Sequence, residues 1–407
     1  MKKLFSFMLS CMMAVGCLAV SIPTASAVED PVTINVYNWG QYISDGSDGY
    51  LDVNAAFTAA TGIKVNYMTF DSNESLYTKL KTGGSTFDVI IPSDYMVARL
   101  IEEDMLEPLD FDNIPNYRYI DEEFKNTSFD PTNTYSVPYT WGTVGLIYNT
   151  KYVDEITSWN ALWDERYSGK ILMFDNPRDA FGIAELMLGY SLNTEDYELL
   201  KDASELLKVQ KPVVQAYVMD QIYDKMTGEE AWIAPYYAGD FLFMQEENEA
   251  LAFVLPEEGF NIFIDSMCIP KGSANKDAAE AYINFLCDPE IAGQNMDYVG
   301  YSTPLSAAKE YMDPELAESE IAYPSSEVLA RGESYLALTD LATQQMDALW
   351  LEVKIDGNIT GHLITGVIVI AVIAAIMLFF HIRKMKRTAV RRARKKAALA
   401  NQKKQEN

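Results

Sequence analysis

FDSNESLYTKLKTGGSTFDVIIPSDYMV, residues 70–97, decides the fold of this chain. Ser72-Asn73 reads as the cap of a helix that carries Leu76 and Leu80 and stops at Gly83-Gly84. Phe87 to Ile91 reads as a short buried strand, and Asp94 opens another helix. Upstream, Val32 to Asn38 alternates Val, Ile, Val with Thr, Asn, Tyr, the period of a strand. Leu51 to Ala60 reads as a helix stopped by Gly62, and Ile63, Val65 and Tyr67 alternate as a second strand. Strand, helix, strand, helix, strand predicts a parallel α/β sheet. In such sheets ligands bind beyond the carboxyl ends of the strands. Trp39 and Tyr42 of VYNWGQY (Val36 to Tyr42), with Ser93 and Tyr95, stand at those ends and predict an aromatic-walled pocket.

The middle continues in the same style. Tyr135 to Tyr148 reads as extended chain, and Trp159, Leu162 and Trp163 as a short helical segment. Lys170 to Phe174 reads as a strand followed by a loop, Asp175 to Asp179. Glu230 to Tyr237 and Phe260 to Ile269 are further strands, and Ala274 to Leu286 a helix. With 407 residues and no internal repeat, two lobes joined by returning strands fit better than one sheet.

The two ends are of a different kind. Lys2 and Lys3, the apolar Leu4 to Val20 and the small residues Ala25-Ser26-Ala27 predict a signal peptide over 1–27. Cys17 after Val15-Gly16 offers lipidation as the other processing route, although Ala14 departs from the usual lipobox. Leu363 to Phe380 is an uncharged run of 18 residues, about 27 Å as a helix and enough for a bilayer core. It predicts one transmembrane helix over 359–382. The tail 383–407 holds eleven Lys/Arg and the single acid Glu406, which places it in the cytoplasm and the body outside. With the leader and tail set aside, residues 28–382 keep 19 basic and 58 acidic side chains, a net of −39. Such a body repels nucleic acid and attracts cations.

Absences narrow the chemistry. Both histidines, His362 and His381, flank the apolar run. The exported body therefore has no Ser/His/Asp triad, no Cys/His dyad and no His-ligated metal site. Its cysteines, Cys268 and Cys287, read as the end of a buried strand and part of a helix, which favours two separate thiols over a disulfide.

Five strings, YNWGQY, the stretch 69–97, SVPYTWGTVGLIYN, SWNALW and GYSTP, occur in order over some three hundred residues. Together they make residues 32 to about 350 resemble the bacterial extracellular solute-binding proteins of the spermidine/putrescine-binding family, receptors of ABC importers. The resemblance implies a two-lobed periplasmic-binding-protein-like α/β fold with a ligand cleft between the lobes. Lobe 1 is expected over 28–137 and 266–310, lobe 2 over 138–265 and 311–355. It also implies a binding protein rather than an enzyme, with no cofactor and no metal, a monomeric binding domain and ABC permease subunits as partners. Polyamines need apolar surface for their methylenes, and anions or aromatic faces for their ammonium groups.

Carried over motif by motif, Trp39, Tyr42, Ser93 and Tyr95 line the pocket from the first and third strands. Asp179 matches an acid that contacts a ligand nitrogen. Tyr237 and Asp240 of YAGD match an aromatic and an amine-binding acid. Phe263 and Asp265 of FID match an aromatic wall and an acid holding an ammonium, and Tyr301 of GYSTP closes one side. Each has a plainer reading: Trp39 as core, Ser93-Asp94 as a helix cap, Asp179 beside Arg178 as surface. Tyr335 aligns too loosely to include. Two positions depart from the family: Gln41 and Asn176 stand where relatives commonly carry acids. The expectation is therefore a polyamine receptor held on the outer face of the cytoplasmic membrane, leaning to putrescine. The alternatives are the same fold binding another cationic solute, or a single-span ligand sensor.

Overall fold

The computed structural model describes residues 31–83 and 86–355. The signal peptide, transmembrane helix and basic tail expected above lie outside these residues. Among the described residues no helix is long and apolar enough to cross a membrane.

Among the described residues ten strands follow in chain order: β1 Thr33–Trp39, β2 Lys64–Phe70, β3 Val89–Ile90, β4 Ser136–Asn149, β5 Ile171–Phe174, β6 Val214–Val218, β7 Ile233–Tyr237, β8 Leu251–Val254, β9 Phe260–Cys268 and β10 Gly332–Glu333. Their order across the sheet is β2-β1-β3-β9-β4-β7-β5-β6, with β8 on β4 and β10 on β9. β1 pairs in parallel with β2 and β3, and β5 with β6 and β7. These two parallel groups are the two halves of the molecule. Between them run β4 and β9, antiparallel to each other from Ser136↔Cys268 to Thr143↔Ile262. All fourteen residues of β4 are buried.

The opening motif folds as read. In β1, Ile34, Val36 and Asn38 face inward, following the alternation of apolar residues. Asp52 caps the helix Val53–Thr61 and Gly62 ends it with a left-handed φ of 75°. Ser72 and Ser75 form a reciprocal capping box on the helix Asn73–Thr82. The predicted strand at Phe87–Ile91 forms ladder pairs only at Val89–Ile90, although Asp88 to Ile91 are buried throughout. The helix Asp94–Glu102 follows, burying Met96, Val97 and Leu100.

One reading is corrected. Asp175 to Asp179 is not a loop. Asn176 is the N-cap of the helix Pro177–Met187, its side chain accepting from the Asp179 N–H, with Pro177 in the first turn. Proline needs no hydrogen-bond partner there, so the Asn-Pro pair that resembled a turn is a helix start. Cys268 and Cys287 are both buried and unpaired, as their separate elements required.

Candidate functional site

The two halves face each other across a cleft of about 870 Å³, its open mouth included. All ten residues singled out from the sequence line it: Trp39, Tyr42, Ser93, Tyr95, Asp179, Tyr237, Asp240, Phe263, Asp265 and Tyr301. They arrive from elements distant in the chain: Trp39, Tyr42, Ser93, Tyr95, Asp179, Tyr237 and Asp240 from the ends of parallel strands and the segments that follow, Phe263 and Asp265 from the crossing strand β9, and Tyr301 from the turn after the helix Pro289–Val299.

Each placement has a local cause. Buried Asn38 at the end of β1 donates to the Tyr42 carbonyl at 3.4 Å and accepts from the Trp39 N–H at 2.8 Å. That folds the turn after β1 and sends both aromatics into the cleft. Asp265 is placed by an irregularity: the β4–β9 register shifts between Pro138 and Thr140, opposite Ser266 and Asp265. A bulge of this kind re-aims a side chain. The extra residue, Tyr139, donates to the Tyr42 carbonyl at 2.6 Å and so braces the same turn. Ser93 stands at the N-cap of its helix but makes no capping bond. Its hydroxyl accepts instead from Asn73 Nδ2 at 3.1 Å, and the same amide donates to Tyr95 Oη at 3.0 Å.

Three glycines make room for the cleft aromatics. A Cβ on Gly239 would stand 2.3 Å from Tyr301 Cδ2, one on Gly142 2.8 Å from Phe263 Cζ, and one on Gly182 2.5 Å from Tyr335 Oη. The rings then meet edge to face: Tyr42 with Tyr301 at 5.1 Å, Tyr237 with Phe263 at 5.5 Å, Tyr95 with Tyr335 at 6.0 Å. Such pairs hold ring edges fixed while leaving faces to a ligand.

Four of the cleft carboxylates, Asp265, Asp240, Asp179 and Glu74, are tethered by tyrosine hydroxyls. Tyr42 Oη donates to Asp265 Oδ2 at 2.6 Å. Tyr301 donates to Asp240 at 2.5 Å, and Tyr223 donates to its other oxygen. Asp179 accepts from Asn176 at 2.6 Å, Tyr237 at 2.8 Å and Tyr335 at 3.2 Å. Tyr95 donates to Glu74 at 3.0 Å. Burial pushes Asp265 up to about 6, opposed by the Tyr42 and Ser93 hydroxyls. Burial also pushes Asp240 up to about 6; Tyr223 and Tyr301 oppose it and Asp220 adds to it. Asp179 is raised by burial as well, against its three hydrogen-bond donors and the adjacent Arg178. Asp265 is 3% exposed, and its Oδ1 is buried without a hydrogen-bond partner.

The sequence reading missed part of the wall. Tyr335 is 5% exposed, lines the cleft and binds Asp179. Its segment carries no strand or helix signal beyond the two residues of β10, so nothing local pointed inward. Asp94, read as a helix-start residue, also lines the cleft, as do Asp71, Glu74 and Asp220. Asn176 is inside, and it supplies an amide to Asp179 where an acid was expected of relatives. Gln41 is exposed, at a left-handed φ of 51°. Seven carboxylates and one guanidinium, that of Arg178, line the cleft. Arg178 does not reach for an anion. Its Nη2 donates to Asn193 at 2.8 Å and to the Leu336 carbonyl at 3.0 Å, and its guanidinium lies 4.5 Å from the Tyr335 ring centre. The chamber thus offers apolar ring faces and a surplus of negative charge, with Asp94, Asp179 and Asp265 buried, the complement of an aliphatic cation.

Comparison with known proteins agrees with this geometry. A family model described as bacterial extracellular solute-binding protein matches residues 53–323. The spermidine/putrescine-binding periplasmic protein of Escherichia coli is 35% identical over 325 residues, covering 79% of this chain and 91% of that one. A putrescine-binding periplasmic protein of the same organism is 30% identical over 346 residues, covering 79% and 91%. The solved structure of a putative spermidine/putrescine ABC transporter protein from Listeria monocytogenes is 40% identical, with a TM-score of 0.75, covering 79% of this chain and 99% of that one.

Proposed function

This chain belongs to the bacterial extracellular solute-binding proteins, two-lobed receptors of ABC transporters and not enzymes, and from that premise we propose that its cleft captures an aliphatic di- or polyamine outside the cell and presents it to a permease. The observation that carries this reading is the charge of the cleft: seven carboxylates against a single guanidinium, whose Nη2 donates to Asn193 and Leu336 while Nε and Nη1 are buried without partners. No anionic or neutral solute would relieve that imbalance. Asp179, Asp240 and Asp265 are the anions for the ammonium groups, and Trp39, Tyr42, Tyr237, Phe263 and Tyr301 shield the methylenes. Ser93 and Tyr95 hold the third side.

Binding then works by closure. Lobe 1, residues 28–137 and 266–310, and lobe 2, residues 138–265 and 311–355, swing about β4 and β9. The register shift at Pro138/Thr140 opposite Ser266/Asp265 falls at both proposed boundaries and supports a flexing point there. Asp179, Asp240 and Asp265 belong to lobe 2 and Trp39, Tyr42, Ser93, Tyr95 and Tyr301 to lobe 1, so a cation held by the acids and covered by the aromatics of the other lobe binds the closed form better and shifts the population toward it.

Putrescine is the first ligand to try. Asn176 supports a dication over a trication, because it gives the Asp179 end an amide rather than a second carboxylate. The same substitution favours the second reading, a different cationic solute in the same cleft. A tether to the membrane is supported by the sequence alone, through the uncharged run 363–380 and the basic residues that follow. Recovery of the protein mainly in culture supernatant would contradict it. The cleft assignment is tested by a thermal-shift panel. Putrescine, cadaverine or spermidine is expected to raise the melting temperature, and glutamate or glucose to leave it unchanged. Stabilisation by an anion or a sugar and by no amine would overturn the reading.

A further inference from the structure

Asp94 is one of four cleft acids, with Asp71, Glu74 and Asp220, to which no task has been assigned. It opens the helix Asp94–Glu102, is 1% exposed and lines the chamber. Its Oδ1 accepts from the Tyr95 N–H at 2.7 Å, while Oδ2 is buried with no hydrogen-bond partner. Next to it lies Asp265, held against this turn by the bridge from Ser93 to Asp265 and by the Ser266 N–H donating to the Pro92 carbonyl at 3.0 Å. Asp265 has the same defect: one oxygen satisfied by Tyr42, the other buried and orphaned.

A capping role explains only half of this. An acid in the first turn of a helix interacts well with the dipole, but it does so from the surface, where water satisfies the second oxygen. Burying a carboxylate oxygen without a partner costs free energy, and a like charge alongside adds to the cost. Burial raises Asp94 well above the ordinary carboxylate range. Asp265 raises it further, while the Tyr95 N–H, the nearby Ile264 N–H and Arg178 oppose the shift. Arg178 opposes the shift from a distance but makes no hydrogen bond to Asp94; its Nη2 donates to Asn193 and Leu336, and its Nε and Nη1 are buried without partners. Two adjacent buried carboxylates, each with one empty oxygen and no cation between them, describe a site for a cation.

We propose that Asp94 is a fourth ligand carboxylate of the cleft, forming with Asp265 a two-acid locus for one primary ammonium. An ammonium has three N–H donors, so it can serve both orphan oxygens at once. The locus offsets the acid missing at Gln41, which is exposed and does not line the cleft.

The inference rests on the amine-binding reading, and the test separates the two. The full chain in detergent is titrated calorimetrically with putrescine, cadaverine and spermidine, as wild type, Asp94→Asn and Asp94→Ser. Wild type failing to bind any of the three defeats the parent reading and this one with it. With wild type binding, Asp94→Asn is expected to lose at least tenfold in affinity while the ligand-free protein melts no lower than wild type, because an orphaned charge has been removed. Asp94→Ser, which keeps a helix-start oxygen, is expected to show the same split. Unchanged affinity in Asp94→Asn overturns the proposal. So does a loss of affinity that comes with a lowered ligand-free melting temperature and is rescued by Asp94→Ser, since that is the signature of a helix cap.

Discussion

Asp265 concentrates the chemistry at the scale of single residues. Its charge is desolvated, one oxygen is held by Tyr42 and the other is vacant of partners. Asp265→Ala is therefore expected to weaken amine binding about thirtyfold to several-hundredfold, since a desolvated charge contact is worth ~2–4 kcal/mol; calorimetry showing wild-type affinity would remove Asp265 from the site. The raised values near 6 for Asp240 and Asp265 carry a paired prediction. Both groups start from 3.8 in the unfolded chain, so between about pH 4 and 6 the folded, ligand-free state binds more protons than the unfolded one. Their contribution to stability is thus fully present below 3.8 and is lost as the pH rises through 6, by on the order of 2–3 kcal/mol for each acid. Cation binding runs the other way, because it needs the ionised acids. From pH 7 to pH 5 amine affinity should fall while these two groups stabilise the empty protein. Affinity independent of pH over that window would mean that neither acid touches the ligand.

At the scale of elements, the cleft is a product of how strands and helices end. Asn176 caps the helix Pro177–Met187 and in the same position clamps Asp179. Asn176→Ala should lower stability by ~1 kcal/mol through the lost cap and weaken binding as well, by freeing Asp179. A chemical melt with unchanged midpoint would show that the cap is dispensable. Gly239 plays a steric part: a methyl there collides with the Tyr301 ring. Gly239→Ala should cost affinity through displaced Tyr301, readable as a changed tyrosine environment in near-UV circular dichroism. Much of this was legible in advance. The period-two runs and the Ser72 and Gly62 helix ends gave the elements, and the ten residues named from the family motifs line the cleft. The rest was hidden for physical reasons. Asn176-Pro177 has the composition of a turn and the geometry of a helix start. Tyr335 sits in an irregular segment with no periodicity to betray which way it faces. Asp94 and Glu74 look like ordinary first-turn acids until tertiary packing buries them, and the bulge that aims Asp265 arises from pairing between β4 and β9, more than a hundred residues apart.

At the scale of the whole molecule, two parallel-sheet halves share two crossing strands, and the acids belong to both sides of the crossing. Closure around a cation follows, and small-angle scattering of the full chain in detergent should register a more compact particle on adding the bound amine. A net of −39 on residues 28–382 gives the approaching cation long-range attraction that salt screens, so association should slow with ionic strength more than dissociation changes. The same charge says nothing about which amine is held. That depends on Asp179, Asp240 and Asp265, with Asn176 setting the Asp179 end. Calorimetric titration of the full chain, purified free of ligand, against putrescine, spermidine and cadaverine tests the account most directly. Saturable binding of one of them at micromolar concentration or tighter, strongest for putrescine, is the result predicted. A folded protein that takes up none of the three would contradict it.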